Sequence, residues 1–216
     1  MDLDKYKKAW DNQPEETNKV SKVDIYKMAH SKSSSIVKWI FIIGILELAF
    51  WAGINIFFVG ESYTEVYKQL HLNSIVKISV YIHYFVIAIF LYFFYQNYKS
   101  ISVSDSTKTL IHKILKTRKT VKYYVYFNLA YMVLANVFVM CLIFSDLDLL
   151  IEYYHNQGIS TPDNKDQLLT SLIIAMVVLL SFMVLILWLF YKVIYGILLR
   201  KLNSNYKELA KLEELN

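Results

Sequence analysis

Residues Ile36 to Val59 read IVKWIFIIGILELAFWAGINIFFV, 24 residues in which Glu47 is the only acid and Lys38 the only base. A hydrocarbon layer of roughly 30 Å takes about 20 helical residues at 1.5 Å each, so this stretch is long enough to cross it. No water in that layer can serve the backbone N–H and C=O groups. They must pair within the segment, which makes it a helix. Three further stretches of the same kind follow, from about Ile75 to Tyr98, from Tyr123 to Phe144 and from about Leu168 to Tyr195. The expected fold is all-α, a polytopic membrane protein with four transmembrane helices. The first stretch is too long for the apolar region of a signal peptide, and no small-x-small cleavage site follows it.

Composition agrees with that reading. Of 216 residues, 56% are apolar and only 19% charged, below the roughly 25% charge of soluble domains. A soluble globular protein is excluded. One cysteine, Cys141, excludes a disulfide framework and a Cys-based zinc site.

Lys and Arg set the orientation. Eight precede or open the first span, two lie between spans one and two, and seven between spans two and three. One lies between spans three and four, and five follow from Lys192 onward. This alternation expects both termini in the cytoplasm. The net charge of +5 is split among three segments bordering spans. That suits anionic lipid headgroups and argues against nucleic acid as a partner.

The flanking segments read as amphipathic helices. Residues 1–35 form a cytoplasmic N-terminal segment, with Leu3, Tyr6 and Trp10 at helical spacing among lysines before Asn12-Gln13-Pro14. Ser21 followed by Asp24 resembles a capping box opening a second helix, and the run Ser31-Lys32-Ser33-Ser34-Ser35 leaves its continuity with the first span open. Between spans two and three, Leu110, Ile111, Ile114 and Leu115 lie opposite Lys108, Lys113, Lys116 and Lys119 in a basic helix over about 107–119. Residues 196–216 continue span four, with Leu198, Leu202, Tyr206 and Leu209 near a 3.5-residue repeat. On the outer side, Asn73 is expected to cap span two. Asp146 to Asn156 reads as an interfacial turn of helix ending near Gly158, and Pro162 as the first helical position of span four. Val37-Lys38-Trp39 and Val121-Lys122-Tyr123 open the two outward spans alike, which suits two pseudo-repeated helical hairpins.

Five polar residues inside the spans are the candidate site: Glu47, Asn55, His83, Asn128 and Asn136. A charge near the middle of a span is costly, so Glu47 should face the bundle. Partners matched by depth are Tyr131, Asn136, Ser181 and, less well, His83. Trp39, Tyr84, Tyr98, Tyr123, Tyr124 and Tyr195 read as interfacial belts. The histidines make no metal-type pair, and no phosphate loop or nucleophile elbow occurs. No catalytic residue, metal or cofactor is expected, and the reading leans away from an enzyme.

The opening Lys7-Lys8-Ala9-Trp10-Asp11 and the join Asp24 to Phe41 (DIYKMAHSKSSSIVKWIF) resemble small uncharacterised inner-membrane proteins of Bacteroidetes, often encoded beside extracytoplasmic-function sigma factors. The resemblance implies no established activity. It favours a regulatory or scaffolding protein that binds a cytoplasmic partner, sigma-factor related, through Leu3, Tyr6, Trp10, Lys108, Lys113, Lys116 and Lys119. The alternative is a membrane enzyme or lipid- or small-ligand-binding protein with a polar pocket around Glu47. Either allows a homo-oligomer.

Overall fold

The computed structural model describes residues 22–58, 67–102, 104–162 and 164–214. Among them are five helices and no strand: α1 (Lys22–Phe58), α2 (Asn73–Ser100), α3 (Thr107–Ser145), α4 (Leu147–Asn156) and α5 (Lys165–Glu214). Four of these, all but α4, are long and apolar enough to cross a membrane. The protein is an all-α, multi-pass membrane protein.

Each long helix packs on two neighbours in the cyclic order α1, α2, α3, α5. The register is antiparallel throughout. Phe41 meets Tyr95 while Asn55 meets Tyr84, and Ser79 meets Tyr131 while Asn97 meets Thr120. Ser33 meets Asn205 while Glu47 meets Tyr191. The outward faces carry exposed Phe57, Phe85, Leu134 and Val178. So much exposed apolar surface has its natural cover in lipid.

Three of the helices outrun the bilayer. The 37 residues of α1, 39 of α3 and 50 of α5 span about 55, 58 and 75 Å at 1.5 Å per residue, well beyond a layer of roughly 30 Å. The Ser-rich run does not interrupt α1, because Ser33 is fully buried and its hydroxyl accepts from Asn205 Nδ2 at 3.1 Å. The basic segment at 107–119 is the first part of the same helix as span three. Their extensions, with Val37 at the start of span one, bury Ala29, Leu110, Ile114, Leu202 and Leu209 against one another as a small extramembrane core.

The α2–α3 turn closes this core. Tyr26 Oη donates to the Asp105 carbonyl and His30 Nε2 lies 2.8 Å from that of Ser102. Lys113 pairs with Asp105 at 2.6 Å and also donates to the Ser100 carbonyl. Burial raises the Asp105 carboxyl. The Lys113 and Ser102 hydrogen bonds, with the Lys113 and His30 charges, outweigh that and hold it below its usual value. Burial, then the Asp105 charge, push the Tyr26 phenol above its usual value. Ser106 caps α3, accepting from the Thr109 N–H at 3.2 Å.

Two expected helix starts differ. The residue flanking α2 is Leu72, and Asn73 is already inside the helix. The preceding turn is closed by Leu72 N–H to the Tyr67 carbonyl, so the side chain of Asn73 is not needed there. Pro162 lies outside α5, which begins at Lys165. Asn164 takes the capping place, its Oδ1 accepting from the Asp166 N–H. The short helix α4 forms where a turn of helix is expected. Asp146 accepts from Leu149 N–H, and Gly158 (φ +71°) ends it with Ile159 N–H bonded to the Tyr154 carbonyl.

Candidate functional site

Glu47 is buried, 5% exposed, on the inward face of α1. Its carboxyl accepts from Tyr191 Oη at 2.6 Å and from Tyr195 Oη at 3.0 Å, both on α5. The i, i+4 spacing puts the two phenols on one helix face, and their apolar rings face Ile40, Phe94 and Val121 in the central core. Tyr124 stacks edge-on against both rings at 6.2 and 5.9 Å. Its hydroxyl is buried without a hydrogen bond among the described residues. Gly44, one turn before Glu47, permits this layer. A Cβ there would lie 2.8 Å from Leu91 Cδ2 and 3.3 Å from Phe94 Cδ2, so α1 and α2 are in close approach.

None of the partners expected for Glu47 touches it. Ser181 and Asn136 are exposed, Tyr131 bonds Ser79 at 3.0 Å, and His83 bonds Asn128. Tyr124 and Tyr195, read from sequence as interfacial belt residues, are fully buried core. Tyr84 is not at a span end either. It lies within α2, where its hydroxyl accepts from Asn55.

The other four polar candidates come together. Asn55, His83, Asn128 and Asn136 line one cavity of about 530 Å³ between the spans. The walls are mostly apolar and aromatic, Phe50, Trp51, Met132, Ile186 and Phe190 among them. Asn128 Nδ2 donates to the Tyr124 carbonyl at 2.9 Å, which leaves Oδ1 facing His83 Nε2 at 3.1 Å. That ring nitrogen is therefore the donor, and in the neutral ring Nδ1 is an acceptor. The imidazole stacks flat on Tyr131, with centroids 3.9 Å apart and an interplanar angle of 2°. Asn55 Nδ2 is shared between the Trp51 carbonyl and Tyr84 Oη, and Asn136 Nδ2 bonds the Met132 carbonyl at 2.7 Å. Asn55 thus spends both its N–H groups locally and Asn136 one of its two, and both leave carbonyl oxygens available. Tyr191 belongs to the cavity wall and to the Glu47 layer, so Glu47 lies behind the pocket rather than in it.

The remaining candidates lie elsewhere. Leu3, Tyr6 and Trp10 are outside the described residues. Lys113 is committed to Asp105 and Ser100, whereas Lys108, Lys116 and Lys119 are exposed, Lys119 with Nζ 5.6 Å from the Tyr123 ring centroid. Leu110 and Ile114 are consumed by the extramembrane core. The residues that sequence reading missed are Tyr191 and Tyr195, whose signal was a tyrosine pair one turn apart, and the pair Tyr26 and His30 that grips the α2–α3 turn.

A family described as a domain of unknown function (DUF8845) matches residues 23–214, and the chain belongs to that family. No curated protein and no solved structure matches the chain.

Proposed function

We propose that this is a multi-pass protein of the bacterial inner membrane, with both termini cytoplasmic, that binds a lipophilic small molecule in the cavity among its four spans. The observation that carries this reading is the convergence of Asn55, His83, Asn128 and Asn136 on a single apolar cavity of about 530 Å³. Ligand sites are concave, mainly apolar and roughly 300–1,000 Å³, with a few placed polar groups. This cavity has that character. Acceptors at Asn55, Asn136 and His83 Nδ1 suit a ligand with a hydroxyl or N–H at one end and a hydrocarbon body. The orientation rests on the alternation of Lys and Arg along the chain.

The test is organic extraction of the protein purified in mild detergent, followed by mass spectrometry. The wild type is expected to carry a lipophilic compound that is depleted in Asn128→Leu and in Ile186→Trp, which fills the cavity. Equal content in all three would refute the reading.

A second reading is regulation or scaffolding through a cytoplasmic partner, the role that the resemblance to sigma-factor-associated proteins of Bacteroidetes favours. It is supported by the extensions of α1, α3 and α5, which pack into a common core on which α3 carries exposed Lys108, Lys116 and Lys119. Deleting Met1 to Gln13 should then leave membrane insertion intact and abolish partner capture.

A further inference from the structure

A second cleft, of about 220 Å³, opens between α3 and α5 where the apolar spans give way to charge. Lys122 from α3 and Lys192 from α5 converge on it, beside Tyr126 and Trp188, and Leu129 belongs to its apolar lining. Both ammonium groups are exposed, and among the described residues neither is ion-paired with a carboxylate. Lys192 Nζ is held 4.3 Å from the centroid of the Trp188 ring. One turn before Lys122 on the same helix face, Arg118 buries its Nε without an acceptor among the described residues. Gly196 leaves the α5 wall open, since a Cβ there would meet nothing within 4 Å.

These features match one ligand. Two unneutralised cations at a membrane boundary attract an anion, and lysine is a point-charge partner for phosphate. Trp and Tyr side chains favour the headgroup level, where one edge is wet and the other apolar. The apolar lining beside the lysines suits the start of an acyl chain. A zwitterionic lipid would bring a cation of its own against the lysines.

We propose that the cleft between α3 and α5 binds the headgroup of an anionic phospholipid, with Lys122 and Lys192 holding the phosphate and the Leu129 face covered by the lipid's hydrocarbon. The site is independent of the intramembrane cavity, which lies on the other side of Tyr191.

Native mass spectrometry of the full chain, titrated with phosphatidylglycerol, phosphatidylcholine or inorganic phosphate, tests this. The wild type should bind phosphatidylglycerol in preference to phosphatidylcholine. Lys122→Gln/Lys192→Gln should weaken that binding by roughly tenfold or more, since each basic residue at an anionic surface contributes about fivefold. Gly196→Leu, whose side chain enters open space, should block the lipid while leaving thermal unfolding unchanged. Lys27→Gln/Lys211→Gln removes the same charge elsewhere on the exposed surface and should bind as the wild type does. Unchanged binding by the first double variant, or an equal loss in the second, would overturn the site. Inorganic phosphate that binds as tightly as phosphatidylglycerol and displaces it would make the ligand a free anion, and would overturn the lipid assignment.

Discussion

Replacing Glu47 by leucine removes the acceptor that two buried phenols, those of Tyr191 and Tyr195, share among the described residues. The side chains are similar in size, so the change in stability reports lost hydrogen bonds rather than a cavity. Interhelical hydrogen bonds within membranes are worth about 0.6 kcal/mol on average and up to roughly 1.7. Two of them, at 2.6 and 3.0 Å, give an expected loss of about 1–3 kcal/mol for Glu47→Leu. Glu47→Gln keeps one acceptor oxygen and adds N–H donors that a phenol oxygen can accept, so it should cost about 1 kcal/mol or less. Tyr191→Phe should cost more than Tyr195→Phe, since its bond is the shorter. The decisive assay is a double-mutant cycle of Glu47→Leu with Tyr191→Phe, read from reversible unfolding in detergent. Residues in direct contact should show a coupling of about 0.5–1.5 kcal/mol. Zero coupling with wild-type stability for Glu47→Leu would show that the α1–α5 contact is not made through this carboxyl.

The α2–α3 turn should be acid-sensitive. Asp105 is held below its ordinary 3.8, so its contribution is complete above that value and lost as pH falls through its native pKa. Protection of the Ser102 amide, whose N–H bonds Asp105 Oδ2, against hydrogen exchange should fall over that range in the wild type and be low at every pH in Asp105→Ala. Gly44→Ala needs a shift of the Leu91 side-chain tip and a small give of the buried Phe94 ring, whereas Gly44→Leu must part α1 from α2 and cost about 1–3 kcal/mol in unfolding experiments. His71 holds a left-handed φ of 56° at the turn before α2, which costs a non-glycine residue about 1–2 kcal/mol. His71→Gly should therefore unfold at a higher temperature than the wild type.

How much of this could be read from the chain is clearest at Glu47. The spans were legible because their apolar length exceeds what any soluble helix needs, and the inward position of Glu47 followed from the cost of a charge in lipid. Its partners did not follow. Matching the midpoints of the apolar stretches pairs Glu47 with Ser181, but the packed register places it against Tyr191, ten residues further on and about 15 Å along α5. Tyr191 adjoins Lys192 and stacks on Tyr124 at the start of span three, so this layer sits toward the basic end of the bundle and the midpoints of the apolar stretches do not mark one common depth. Helix continuity was hidden for a related reason. The residues at 31–35 look like a breaker, yet tertiary packing buries Ser33 against Asn205. Asn55, His83, Asn128 and Asn136 were each visible as polar residues in a span. Their meeting in one cavity depends on the cyclic order of the helices, which hydropathy does not encode.

The cavity is tested most directly by photolabelling with a lipophilic diazirine that carries a single hydroxyl group, followed by peptide mapping of the protein in detergent. The account predicts saturable labelling of Met132, Ile186 and Phe190 on the cavity wall, competed by the unlabelled alcohol and lost in Asn128→Leu. Labelling confined to outward residues such as Phe57, Phe85 and Val178, without saturation, would contradict it.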